Sequence, residues 1–318
     1  MLKFVMLLAA FAAVPALAQD YPSKPIKIVV TYPPGGGMDV TARMLSAPLG
    51  ERLKQTVIVE NKPGASGMIG ADYVAKSAPD GYTVVLAPAD THSINPHVYS
   101  SMTYDSRRDF VPVAMLGNLP MTLLVNPALP VKSVDDFVKL AKERPGKLTF
   151  GSWGIGSSSH VAMEVLKQER KIDMLHVPFT GAAPAIAAVA GGQIDAMMAS
   201  LPTSEPQHAG GKVRIIGVTP VKRPPGSAVL PEAGMPPGVA VWVGILAPAK
   251  TPPEIVARLN REFKAVLDDP ATRAQLTKAG IEPVASVASP QEFSKFFNDS
   301  YDFWGRTVRA AKISVELK

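Results

Sequence analysis

The chain has 318 residues, 47% hydrophobic and 19% charged, no cysteine, and a formal net charge of +6. The lack of cysteine excludes disulfides, thiolate catalysis, Cys-zinc sites and a lipid-modified cysteine. Nucleic acid is excluded as a partner, because the basic residues are scattered and the densest spots are pairs such as Arg107-Arg108 and Lys222-Arg223; the mild positive field that remains favours small anions.

In chain order, "MLKFVMLLAAFAAVPALAQD" comes first, with Lys3, an apolar run and Ala16-Leu17-Ala18, the three-part pattern of a cleavable signal peptide at residues 1–18. The run from Phe4 to Ala18 contains Pro15 and is short for a membrane span of about 20 residues. Cleavage after Ala18 removes 18 of the 318 residues and leaves 300, starting at Gln19, free in the periplasm. A mature chain of that size exceeds the usual single core, so two lobes are expected.

Short β-branched runs then alternate with helical ones, the pattern of an α/β architecture with parallel sheet. Strands are predicted at "IKIVV" (26–30), "VIVEN" (57–61), "YTVVLA" (82–87), "LTFGS" (148–152), "MLHVPF" (174–179), "IDAMMA" (194–199), "VRIIGVT" (213–219) and "WVGILAP" (242–248). Helices are predicted over 39–53, 69–77, 134–143, 159–170 and 184–190, with Pro48 expected to kink or divide the first. The segment "FVPVAMLGNLPMTLLVN" (110–126) is too long for one strand and is broken by Gly117 and Pro120, which suits a crossing between lobes. After Pro248 only helices are expected, with Thr251 and Ser289 as N-caps and Gly280 as a stop. A return crossing near "VAVWVGILAP" places these helices on the first lobe.

Three strand-to-helix junctions carry glycine with small or hydroxyl residues: "PPGGGMD" (33–39), "GSWGIGSSSH" (151–160) and "FTGAAPA" (179–185). In open α/β sheets ligands sit beyond the carboxyl ends of the strands, and free N–H groups at a helix start favour an anion. Each glycine alone can be read as a turn former, and each serine of Ser157 to Ser159 as an N-cap. Phosphate suits these turns less well than carboxylate: the first lacks the G-K-[ST] ending and carries Asp39, and the second lacks the G-x-G-x-x-G spacing. There is no G-x-S-x-G elbow, and His92, His97, His160, His176 and His208 form no metal spacing. No catalytic residue, metal or cofactor is assigned; His160 beside its serines is the one nucleophile–base arrangement to consider.

"YPSKPIKIVVTYPPGGGMDVTAR", "VIVENKPGASGMIGADYVAKSAPDGYTVVLA", "HSINPHVY", "YDSRRDFVPVA", "GSWGIGSSSHVAMEVL", "HVPFTGAAPAIAAVAGGQIDAM" and "LAPAKTPPEIVARLN" follow one another along the mature chain. Together they resemble the Bug-type solute receptors of tripartite tricarboxylate transporters. The resemblance implies a periplasmic binding protein fold, with two α/β lobes joined by crossing strands and a ligand cleft between them. On this sequence lobe I would be 19–118 with 242–318, and lobe II 119–241.

It further implies that a small organic acid is gripped by Pro34, Gly35, Gly36, Gly37 and Asp39 of one lobe and by Gly156, Ser157, Ser158, Ser159 and His160 of the other. Tyr32 and Trp153 would wall the cleft, and Ala89, Thr91, His92, Thr180, Gly181 and Ser200 would meet the distal part of the ligand. Two departures stand out. "MMASLP" with Ser200 replaces an aspartate that could pair with an ammonium, which disfavours an amino acid, and "KRPPGSAVLPEAGMPPGVAVW" is shorter than the family's form. The predicted cleft loops hold no Lys or Arg, so a mono- or dicarboxylate, aromatic acids included, is expected ahead of a highly charged acid such as citrate. The expected role is a monomer that delivers the acid to membrane permease subunits. Presentation to a sensor kinase is the alternative, and an exported hydrolase the more remote one.

Overall fold

The computed structural model describes residues 21–35, 37–219, 241–284 and 289–316. The expected signal peptide, Gly36 and nearly all of the shortened segment 222–242 lie outside the described residues.

Along the chain, β1 (Ile26–Val30) passes through the first glycine turn into α1 (Gly37–Leu53), followed by β2 (Val57–Asn61), α2 (Met68–Ala75) and β3 (Thr83–Pro88). A π-helical turn, Asp90–Ile94, runs into the short α3 (Asn95–Val98). The strands β4 (Phe110–Leu119) and β5 (Met121–Val125) follow, then α4 (Val134–Glu143), β6 (Thr149–Ser152), α5 (Ser158–Arg170) and β7 (Leu175–Pro178). After α6 (Ala182–Ala190), β8 (Ala196–Ser200), α7 (Leu201–Ala209) and β9 (Arg214–Val218), the described chain resumes at β10 (Val241–Pro248). It ends with α8 (Pro253–Asp268), α9 (Pro270–Lys278) and α10 (Pro290–Ala310).

Among the described residues the strands form two five-stranded sheets, ordered β2-β1-β3-β10-β4 and β7-β6-β8-β5-β9. Both follow one plan: three parallel strands, then one reversed strand shared with the edge. Pro120 separates β4 from β5 because it has no N–H to give a ladder. Its carbonyl instead accepts from the Leu201 amide at 2.9 Å, and the chain changes sheets there.

The inner strands are buried on both faces, as parallel strands covered by helices must be, while the edge strands β2 and β7 stay partly exposed, with Ile58 and Leu175 open to solvent. In the first sheet, Ile28, Val30, Val84 and Ile245 pack against Leu45 and Leu49 of α1 and Leu259 and Phe263 of α8. Its other face, Val29, Val85 and Trp242, meets Phe293 and Trp304 of α10. In the second sheet, Leu124 and Met197 meet Ile186 and Val189 of α6, while Leu123 and Phe150 face Phe137 and Leu166. Each buried leucine or isoleucine contributes about 2 kcal/mol, so these faces fix the two layers.

Helix ends follow their residues. Ser289 and Glu292 form a reciprocal capping box on α10, and Gly280, at φ +74°, ends α9. Two expectations change. Pro48 sits inside α1 without dividing it, because Leu45 and Leu49 on either side are fully buried against the sheet. Thr251 does not cap α8: Pro252 holds the cap position, and the Thr251 hydroxyl is buried without a hydrogen bond. No helix among the described residues is long and apolar enough to cross a membrane.

Candidate functional site

The carboxyl ends of β1 and β6 carry the two glycine turns. In the first, Gly35 takes φ +79°, open to glycine at little cost, and its amide donates to Asp39 Oδ2 at 2.9 Å. Arg43, one turn along α1, grips the same carboxylate through Nε at 3.0 Å and 3.1 Å. Asn61 ties this clasp to the strand side, accepting from Arg43 at 3.4 Å and donating to the Tyr32 carbonyl at 3.1 Å. The Arg43 guanidinium, with help from the Gly35 amide, holds the Asp39 carboxyl down at about 2.

The second turn has no such ion pair. Ser157 caps α5, its hydroxyl accepting from the His160 amide at 3.3 Å and donating to the Gly154 carbonyl at 2.7 Å. The Gly156 amide donates to His160 Nδ1 at 3.1 Å, so that nitrogen is the unprotonated one. His160 stacks on His176 with ring centres 3.8 Å apart, and His176 Nε2 lies 2.7 Å from the Ser152 hydroxyl. Burial above all holds both rings neutral, pushing His160 down to about 3 and His176 to about 4; His176 lowers His160 further, and Lys167 adds to both. Gly156 at φ +77° has Val98 of the first lobe so close that an added Cβ would lie 2.3 Å from its Cγ1.

Between the two turns stands Asp90, at the end of β3. Its Oδ2 accepts from the Tyr32 hydroxyl at 3.1 Å and from Trp153 Nε1 at 3.3 Å, and its Oδ1 from the Ser158 amide at 3.2 Å. The side chain is buried, and desolvation raises its pKa while the Ser158, Trp153 and Tyr32 donors work against that rise. Burial, with Asp90 alongside, keeps the Tyr32 phenol protonated well above its ordinary range. A second bridge joins the lobes nearby, where the Tyr99 hydroxyl contacts Ser66 at 2.6 Å and donates to the Ile155 carbonyl at 3.3 Å.

The predicted residues therefore divide by position. Tyr32, Trp153 and Ser158 come together on Asp90. Pro34, Gly35 and Gly37 are exposed at the first turn, and Asp39 is buried beneath it; Gly36 lies outside the described residues. Ala89, Thr91 and His92 are fully buried in the first lobe, with Thr91 Oγ1 2.7 Å from His92 Nδ1 and the His92 ring edge-on to Phe110. Ser159 donates to the Met198 carbonyl. Thr180 is exposed and Gly181 half-buried at the start of α6, and Ser200 is bonded to Thr203 at 2.9 Å in its own turn.

His160 bonds to backbone and stacks on a histidine, and among the described residues no serine hydroxyl bonds to its ring, so a His160–serine dyad is not formed there. Among the described residues no group of His, Asp and Glu is placed to hold a metal. From the sequence, the loop 87–92 is set against the ligand, but Asp90 between Ala89 and Thr91 is not singled out. The available signal was a single carboxylate after the buried run "TVVLAP", at the carboxyl end of a central strand, where ligands meet open sheets.

The family model described as "Tripartite tricarboxylate transporter family receptor" matches residues 41–313. Protein BugT of Bordetella pertussis is 33% identical over 310 residues, covering 96% of this chain and 94% of that one. An R. palustris protein solved with adipate is 34% identical, covers 94% of this chain and all of its own, and superposes with a TM-score of 0.85. MatC from Rhodopseudomonas palustris, solved with bound malate, is 31% identical, covers 91% of this chain and all of its own, with a TM-score of 0.80.

Proposed function

This chain belongs to the Bug-type receptors of the tripartite tricarboxylate transporter family, and from that premise we propose that it captures a small organic acid between its lobes and hands it to membrane permease subunits. The signal-peptide pattern at residues 1–18 and the family together support action in the periplasm. The ligand class is a mono- or dicarboxylate, in keeping with the adipate and malate bound by two similar proteins.

One observation carries this reading. Donors from the glycine turns of both lobes, the Tyr32 hydroxyl on one side and the Ser158 amide and Trp153 Nε1 on the other, already converge on a carboxylate. That is the donor set an acid needs: neutral N–H and O–H groups at the start of a 13-residue helix, whose dipole adds roughly 0.3 to 2 kcal/mol. Lobe closure then follows from the ligand's higher affinity for the shut form.

The test is thermal denaturation of the mature protein with a panel of small acids and their amides. An acid at ~100 times its Kd adds about 2.7 kcal/mol and raises the midpoint by several degrees, and its amide does not. No shift from any acid, repeated after unfolding and refolding to strip a retained ligand, sinks the reading.

A further inference from the structure

The carboxylate on which both lobes converge is the chain's own. We propose that Asp90 is a specificity-determining residue: its carboxylate is a built-in occupant of the second lobe's anion seat, holds the empty cleft shut, and disfavours a ligand with a carboxylate at each end. This rests on the carboxylate-receptor reading above and narrows it.

Four observations support the assignment. Asp90 opens the π-helical turn just after β3 of the first lobe and places Oδ1 on the amide of Ser158, the first residue of α5 in the second lobe. The Ser158 hydroxyl, fully buried, faces the same carboxylate and has no other partner. Trp153 Nε1, also from the second lobe, takes Oδ2, which Tyr32 shares from the first. Among the described residues no Lys or Arg forms an ion pair with Asp90, so its charge is carried by neutral dipoles alone.

A ligand carboxylate aimed at this seat must displace Asp90, and the displaced carboxylate stays tethered within the cleft. Two like charges in a dry space repel strongly. A monoacid meets that repulsion at one end only, whereas a diacid also brings its second charge into a cleft that holds the Asp90 carboxylate and whose predicted loops hold no Lys or Arg. Competition of this kind multiplies the intrinsic affinity by the fraction of molecules in which the seat is free, so the apparent Kd rises.

The experiment compares the mature wild type with Asp90→Asn, which keeps the side chain's shape and removes its charge. Small-angle scattering without ligand is expected to show a larger radius of gyration for Asp90→Asn. Calorimetry with hexanoate and adipate, which share a chain length and differ by one carboxylate, is expected to show wild type preferring hexanoate. Asp90→Asn shifts the preference toward adipate by about tenfold, the usual scale of coupling between competing states. Trp153→Phe, which removes one donor and leaves Asp90 in place, opens the empty protein to a smaller degree and serves if Asp90→Asn fails to fold. Identical scattering for wild type and variants overturns the proposal, as does a wild type that prefers adipate. If scattering separates the proteins while no acid of the wider panel binds any of them, the closing role of Asp90 stands and the carboxylate-receptor reading falls.

Discussion

The two glycine turns occupy equivalent places, after a central parallel strand of each sheet and ahead of a helix, yet they are held by opposite chemistry. In the first lobe an ion pair does it: Asp39 takes the Gly35 amide and Arg43 takes Asp39. In the second, a neutral histidine takes the Gly156 amide, a second histidine stacks on it, and the carboxylate at the helix start is lent by the first lobe. A turn whose amides are bound by its own neighbour is finished by itself. A turn whose helix start is bound from across the cleft is finished only when the lobes close, which is what a receptor requires of one of its two jaws.

Acid separates the two designs most strongly. His160 and His176 have folded-state pKa values depressed to about 3 and about 4 from 6.5. Between pH 6.5 and about 4 the unfolded chain therefore binds more protons, and stability, full above 6.5, falls with pH by about 1.4 kcal/mol per unit for each histidine. Buried His92 adds to the same loss, and Asp90, with its raised pKa, partly offsets it. Urea unfolding at pH 7, 6 and 5 is expected to show a steep fall, of several kcal/mol in all. His176→Phe flattens that slope, whereas Asp39→Asn leaves it unchanged, since the Asp39 contribution is lost only as pH falls toward about 2. A wild-type midpoint that is level from pH 7 to 5 breaks the contrast.

Glycine replacement sharpens it next. Gly156→Ala puts a Cβ 2.3 Å from Val98 Cγ1 at φ +77°, and β-branched Val98 has little freedom to yield. The expected cost is about 1–3 kcal/mol in thermal unfolding, from strain and overpacking across the lobes. Gly37→Ala, where a Cβ meets nothing within 4 Å, is expected to be close to neutral. Asp39→Asn comes next in size: it keeps the shape but loses the charge-assisted bonds of a half-exposed pair, at about 1 kcal/mol.

The sequence announces what is local and periodic. The apolar runs at 26–30 and 57–61 appear as strands with those bounds, and 134–143 as a helix, because burial of β1, its pairing with β2 and a Ser133 cap agree with the pattern. α7 is hidden by its two prolines: Pro202 sits in the first turn, where a helix accepts proline, but Pro206 lies inside the helix, where it gives no N–H and weakens the pattern. At the site, glycine and serine junctions pointed to the two turns. The meeting of Asp90 with Ser158 did not show, because the residues lie 68 positions apart and the contact depends on how two lobes close.

A small effect on stability, read beside the response to acid ligands, decides what the glycines are for. At Gly35, φ +79°, and Gly154, φ +143°, an added Cβ meets nothing within 4 Å. Alanine there costs only backbone strain, about 1–2 kcal/mol at Gly35 and up to about 3 kcal/mol at Gly154, or a shift of a few degrees in a chain of this size. If these glycines merely permit a turn, Gly35→Ala and Gly154→Ala keep the full acid-induced rise in midpoint. If they let backbone approach a bound carboxylate, the Cβ occupies the ligand's place and that rise is lost while the small stability cost stays the same. Because the empty protein gives the methyl room, loss of the acid response in either variant is assignable to the ligand and not to the fold.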